Sequence, residues 1–133
     1  AAGWRGGIAA LERAVQETPA EKRADAASDL RLARAAMLHF QSVANQARFV
    51  TARDALANTA GLSPEAREEP RTQVRSILNA ESDLARQLFT LVQEDSRIGF
   101  EPSCQYFYLP LDLVEKVVNC RWLLSTLEQG SSR

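Results

Sequence analysis

The sequence predicts an all-α fold: an up-and-down bundle of three to four helices, with two long antiparallel helices and a structured aromatic loop before the last helix. Three observations predict it. Apolar residues recur at steps of three and four along most of the chain, and no alternation of period two persists. Between Pro19 and Asn58 there is no Gly and no further Pro. Where the pattern breaks, the residues are those that end and start helices.

The elements follow in order. Residues 1–7, "AAGWRGG", hold three of the six glycines and are expected to be a flexible lead-in, with Trp4 docking on the body. Ile8, Leu11 and Val15 then mark a first short helix. Thr18-Pro19 stops it and opens the second, since Thr can cap and Pro suits a first turn. The second helix should run to about Asn58, with a stripe of Leu30, Ala33, Met37, Phe40, Ala44 and Ala47. "NTAGLSPE" is the next break: Gly61 suits a left-handed C-cap, Ser63 an N-cap and Pro64 the first helical position. Pro70 either kinks the third helix or marks its start. Beyond it Val74, Ile77, Glu81, Leu84, Leu88 and Leu91 keep the helical rhythm. Glu81, the one charge in that seam, either bends out to solvent or pairs with a cation from another helix. The fourth helix starts near Pro110, with Leu113, Val117, Cys120, Leu124 and Leu127 as one stripe and Val114 and Val118 as a second.

The totals bound the function. The 133 residues read as one bundle domain, 1–133, and the Ala1 start without Met leads us to expect a fragment of a longer protein. Sixteen Lys and Arg face 17 Asp and Glu, which argues against a nucleic-acid surface. No run of apolar residues is long enough to span a membrane. Cys104 and Cys120 read as two buried free thiols, because pairing would need the 95–112 loop to fold back on the following helix. Cysteine usage therefore leaves the compartment open.

Motifs for phosphate binding, zinc or nucleophilic catalysis are missing. With a single His and two separated Cys, no metal site and no cofactor is expected. Two features remain. Residues 35–47, "AAMLHFQSVANQA", carry no Asp, Glu, Lys or Arg, although a quarter of the chain is charged. That predicts a segment covered on most sides. His39, Ser42, Asn45 and Gln46 then need partners, and together with Asn119 they are read as a buried polar network that fixes bundle register. A contact face for another domain or a ligand is the alternative.

The second feature is "DSRIGFEPSCQYFYLPLD", residues 95–112. No charge occurs from Pro102 to Leu111, and Tyr106, Phe107 and Tyr108 run consecutively. Three adjacent aromatics cannot all enter one core. Arg97, Glu101, Gln105, Tyr106, Phe107 and Tyr108 are therefore candidates for an interdomain or ligand contact. Rings stack on sugar faces and amides bind hydroxyls, so carbohydrate is the ligand class considered. Arg97 beside Asp95 and Glu101 should tie the loop down by a salt bridge. The Asp95–Glu101 pair, with His39, also admits a small hydrolase as an alternative function.

"DSRIGFEPSCQYFYLPLDLVEKVVNCRWLL", with "LHFQSVANQARFVTARD" upstream, resembles the helical C-terminal region of large, mostly uncharacterised bacterial proteins, some of them glycoside-hydrolase-like and secreted by prediction. The resemblance covers roughly residues 28–125. It transfers no catalytic residue. It implies a non-catalytic accessory or interdomain domain of a larger, carbohydrate-active bacterial protein, secreted or periplasmic. The partner is then the remainder of that polypeptide. A free-standing interaction module that self-associates through its long helices is the rival reading.

Overall fold

The computed structural model describes residues 2–59, 61–101, 105, 106 and 108–129, with side chains at all of these except 2, 64, 100, 101, 105 and 106. The fold is an all-α helical bundle. Helix α1 spans Ala2–Glu17 and α2 spans Arg23–Ala57, with a 3-10 turn at Ala20–Lys22 between them. Helix α3 spans Pro64–Glu94 and α4 spans Pro110–Gln129. Between α3 and α4, strand β1 (Phe100–Glu101) pairs antiparallel with β2 (Gln105–Tyr106), Phe100 opposite Tyr106. The aromatic loop thus contains a two-residue ladder.

Local chemistry accounts for the ends. Thr18 does not cap α2; its hydroxyl donates to Ala14 O and closes α1, while the Arg23 guanidinium donates to Thr18 O. Gly61 takes φ +88°, and Ser63 Oγ accepts from Ala66 N at 3.4 Å, so the break before α3 is built as its residues suggest. Pro70 lies inside α3 and does not start it.

Residues 2–7, expected as a lead-in, are the first turns of α1. Helical glycine costs about 1 kcal/mol relative to Ala, which is why fraying was the natural reading. A tertiary contact outweighs it: the Trp4 ring stacks on Phe40 with centroids 5.7 Å apart, and Ile8 is buried one turn on. Glu12 and Arg34 join the other end of α1 to α2 at 2.6 Å. Trp4 facing Phe40 and Glu12 facing Arg34 make the pair antiparallel.

Helices α2, α3 and α4 share the core, and α1 lies against α2 alone. The core has two apolar parts. One joins Ala35 and Leu38 of α2, Leu84, Ala85, Leu88 and Val92 of α3, Ile98 and Leu113. The other joins Ala52, Val74, Leu78 and Cys120. Leu88 and Leu113 are almost fully buried, and each such side chain contributes about 2–3 kcal/mol relative to exposure.

Two stripes differ from expectation. On α2 the buried residues are Leu30, Ala35, Leu38, Ser42, Asn45 and Ala52, so the face is rotated away from Phe40, Ala44 and Ala47. The reason is polar. Ser42 and Asn45 hold the middle of the buried face, and an apolar pattern passes over them. On α4, Val114 and Val118 are exposed rather than a second core stripe, because α4 packs on α3 and, among the described residues, no further helix covers its other side.

Candidate functional site

The two apolar parts of the core are separated by a polar layer centred on Glu81. Glu81 is 5% exposed. Oε1 accepts from Asn45 Nδ2 at 2.8 Å, and Oε2 accepts from Ser42 Oγ at 2.9 Å. Lys116 Nζ of α4 donates to the same Oε2 at 2.6 Å and lies 2.8 Å from Ser42 Oγ. Three helices therefore meet at one carboxylate. Each buried acceptor and donor in this layer has a partner, as burial of polar groups requires.

The helical repeat explains why these residues converge. Ser42 lies one turn beyond Leu38, and Asn45 one turn further on the same face. Glu81 lies one turn after Leu78 and one before Leu84 and Ala85, so it faces α2 as they do. Lys116 lies between Leu113 and Cys120 on the inner face of α4.

Above this layer a cleft of about 340 Å³ opens between α2 and the start of α4. His39, Gln46, Tyr108, Asp112 and Lys116 supply its polar lining. His39 Nδ1 and the Tyr108 hydroxyl share a hydrogen bond of 2.5 Å, and the two rings meet edge to face. Burial, and then the negative charge of Glu81, push the Tyr108 phenol above its ordinary value. It therefore stays protonated at neutral pH and can donate to Nδ1. Asp112 Oδ2 accepts from Leu109 N and closes the entry to α4.

The turn after α3 positions Tyr108. Gly99 adopts φ +85°, and a Cβ there would lie 3.0 Å from Tyr108 Cβ. Only glycine lets the backbone pass this closely. Asp95 anchors the same turn. Its buried carboxylate accepts from the Arg97 guanidinium at 2.6 and 2.9 Å and from Arg97 N at 3.1 Å. These bonds to Arg97 pull the Asp95 carboxyl down to about 2. Arg97 also donates to Ser28 Oγ at 2.8 Å, which ties the turn to α2.

The residues singled out from sequence fall into three groups. Ser42 and Asn45 are brought together in the buried layer, His39 borders it half-buried, and Gln46 is exposed and donates to Ser42 Oγ at 3.2 Å. Asn119 is a correction: it is exposed on α4, one residue before buried Cys120, because one step along a helix turns a side chain by about 100°. The charge-free segment is a second correction. Its inner face is covered, but Phe40, Val43, Ala44 and Ala47 are exposed. In the loop, Arg97 is held by Asp95 and Ser28, and Tyr108 turns inward to His39. The side chains of Glu101, Gln105 and Tyr106, and all of Phe107 and Cys104, lie outside the described residues. Cys120 is a free thiol, raised above its usual value by burial.

Lys116 was missed. Its signal was present: it stands at core spacing three residues after Leu113 and four before Cys120. A lysine there is either solvated or answers a buried acid. Glu81, flagged as the one charge of the α3 seam, was that acid.

The arrangement constrains chemistry. Asp95 is held ionised by Arg97, the wrong state for a general acid at neutral pH. It does not line the His39 cleft. The Glu81 carboxylate is already engaged by Lys116, Ser42 and Asn45. Among the described residues, no group of three or more His, Cys, Asp or Glu could hold a metal ion, and no helix is long and apolar enough to cross a membrane. No protein-family model, curated protein or solved structure matches the chain.

Proposed function

We propose that this chain is a non-catalytic helical accessory domain that packs, through the outer face of α4, on the remainder of a larger polypeptide. One observation carries the reading. Leu111, Val114, Val118 and Trp122 lie at helical spacing on one face of α4 and are 66%, 46%, 57% and 64% exposed. A contiguous apolar stripe of this size marks a protein contact in a soluble domain. An apolar groove of about 460 Å³ between α3 and α4 adjoins it, with Arg86 and Arg121 at its edge. Arg86 is paired with Asp83, so Arg121 is the charge at that edge that favours an acidic group on the docked surface. The polar centre, by contrast, satisfies itself and offers no free nucleophile. The resemblance of residues 28–125 supports a carbohydrate-active parent.

Hydrogen exchange tests the reading. Backbone amides of α4 should exchange more slowly in the complete gene product than in this chain alone, most strongly at 111–122. Equal exchange in the two, or a gene product no longer than this chain, overturns it. A mass that doubles with concentration in light scattering, and returns to monomer in Trp122→Ser, would assign the face to a second copy instead.

A further inference from the structure

A different recess lies on the other side of α2, where the first turn of α1 meets the charge-free segment. It encloses about 330 Å³, at the small end of ligand pockets. One wall is apolar: Trp4 and Phe40 stacked at 5.7 Å with planes 30° apart, and Met37 beside them. Arg5 of α1 and Arg48 of α2 stand at its border, and Gln41 adds an amide. Among the described residues no carboxylate lines the recess, because the α2 side of it is drawn from residues 37–48 and the charge-free run ends only at Arg48.

The electrostatics there are unbalanced. Arg34, Arg53, Arg75, Arg86 and Arg97 each have a carboxylate within 4 Å. Among the described residues, neither Arg5 nor Arg48 does; other arginines share that state, and what sets these two apart is that both border one recess with an aromatic wall. Two guanidinium groups without an anion therefore border a recess whose wall is aromatic. A guanidinium presents paired donors that match a carboxylate in one plane. The half-exposed rings offer apolar area beside them, and Phe40 remains 56% exposed even under Trp4.

We propose that this recess binds a small organic carboxylate, with an apolar ring against Trp4, Phe40 and Met37 and the carboxylate between Arg5 and Arg48. The helical order of residues 2–7 gains a purpose in this reading. It brings Arg5 to the recess that Arg48 also borders and completes a site that neither helix holds alone.

The test uses the whole chain, labelled for NMR, with 2-naphthoate as probe and uncharged 2-naphthamide as its control. Naphthoate should shift amides at 4–8 and 37–48 saturably, with half-saturation at or below about 1 mM, as expected for a ligand of that size. Naphthamide should bind about tenfold more weakly, since it lacks the charge-assisted bonds. Arg48→Gln and, separately, Arg5→Gln should each weaken naphthoate about fivefold or more and leave naphthamide unchanged. Both arginines are exposed and, among the described residues, have no ion pair, so either variant should keep the wild-type melting temperature. Equal binding of acid and amide, unchanged naphthoate binding in both folded variants, shifts centred on another groove, or no saturation overturns the proposal.

Discussion

Lys116→Met removes the cation that pairs with Glu81 and leaves its carboxylate with two neutral donors among the described residues, Ser42 and Asn45. Breaking a fully buried pair from one side costs about 3–5 kcal/mol. The Lys116 side chain is 26% exposed, so water reaches part of the site and we expect about 2–3 kcal/mol. Glu81→Gln should cost less, about 1–2 kcal/mol, because Gln keeps an acceptor for Asn45 and Lys116 can turn to Ser42 and solvent. The double variant should fall short of the sum by about 1–2 kcal/mol, the coupling of the pair. Urea unfolding followed by far-ultraviolet circular dichroism measures all three. Single losses both below about 0.5 kcal/mol, or strict additivity, would refute the layer as an energetic unit. The fully apolar replacement, Ser42→Ala and Asn45→Leu with Glu81→Leu and Lys116→Met, should equal or exceed wild type in stability, since well-packed apolar groups often outperform a buried pair and no buried amide is left without a partner. If the layer fixes register, that variant loses NMR dispersion while keeping its helicity. Unchanged dispersion would remove the register role.

Two further outcomes follow from the turn after α3. Gly99→Ala places a side chain at φ +85° and 3.0 Å from Tyr108 Cβ, so it should cost about 1–3 kcal/mol in urea unfolding, more than Tyr108→Phe at about 0.5–1.5 kcal/mol; a wild-type midpoint for Gly99→Ala would contradict the close approach. Asp95 has a folded value of about 2, below its ordinary 3.8, so its stabilising contribution is complete above about pH 4 and is lost as pH falls toward 2. Asp95→Asn should flatten the stability profile across that window, and parallel profiles for the two proteins would exclude the Arg97 contact as the cause.

Much of the architecture was legible because helices announce themselves locally. Gly61, Ser63 and Pro64 act on their own backbone, and α3 keeps its apolar residues at the positions its period implies. What escaped was set by neighbours distant in sequence. The rotation of α2 depends on Ser42 and Asn45 answering an acid 36 residues and more away, and no apolar periodicity encodes that. The helical state of residues 2–7 depends on Phe40 meeting Trp4.

The candidate site shows the same division. The absence of charge from 35 to 47 marked the segment as unusual, but one face of it is buried and the other is open. Which is which follows only from where α3 and α4 lie. Charge-free sequence alone reads as covered, because exposed helix faces are ordinarily charged.

By itself, then, the sequence determined an all-α chain, its breaks, the buried seam of α3 and the oddity of Glu81 within it. Those features follow from side-chain period and from capping, which act over a few residues. The tertiary structure alone decided that Lys116 neutralises Glu81, that Tyr108 turns inward to His39, that Asn119 faces solvent, and that the outer face of α4 stays uncovered. Each depends on the azimuth at which one helix meets another, and a single step along a helix changes that azimuth by about 100°.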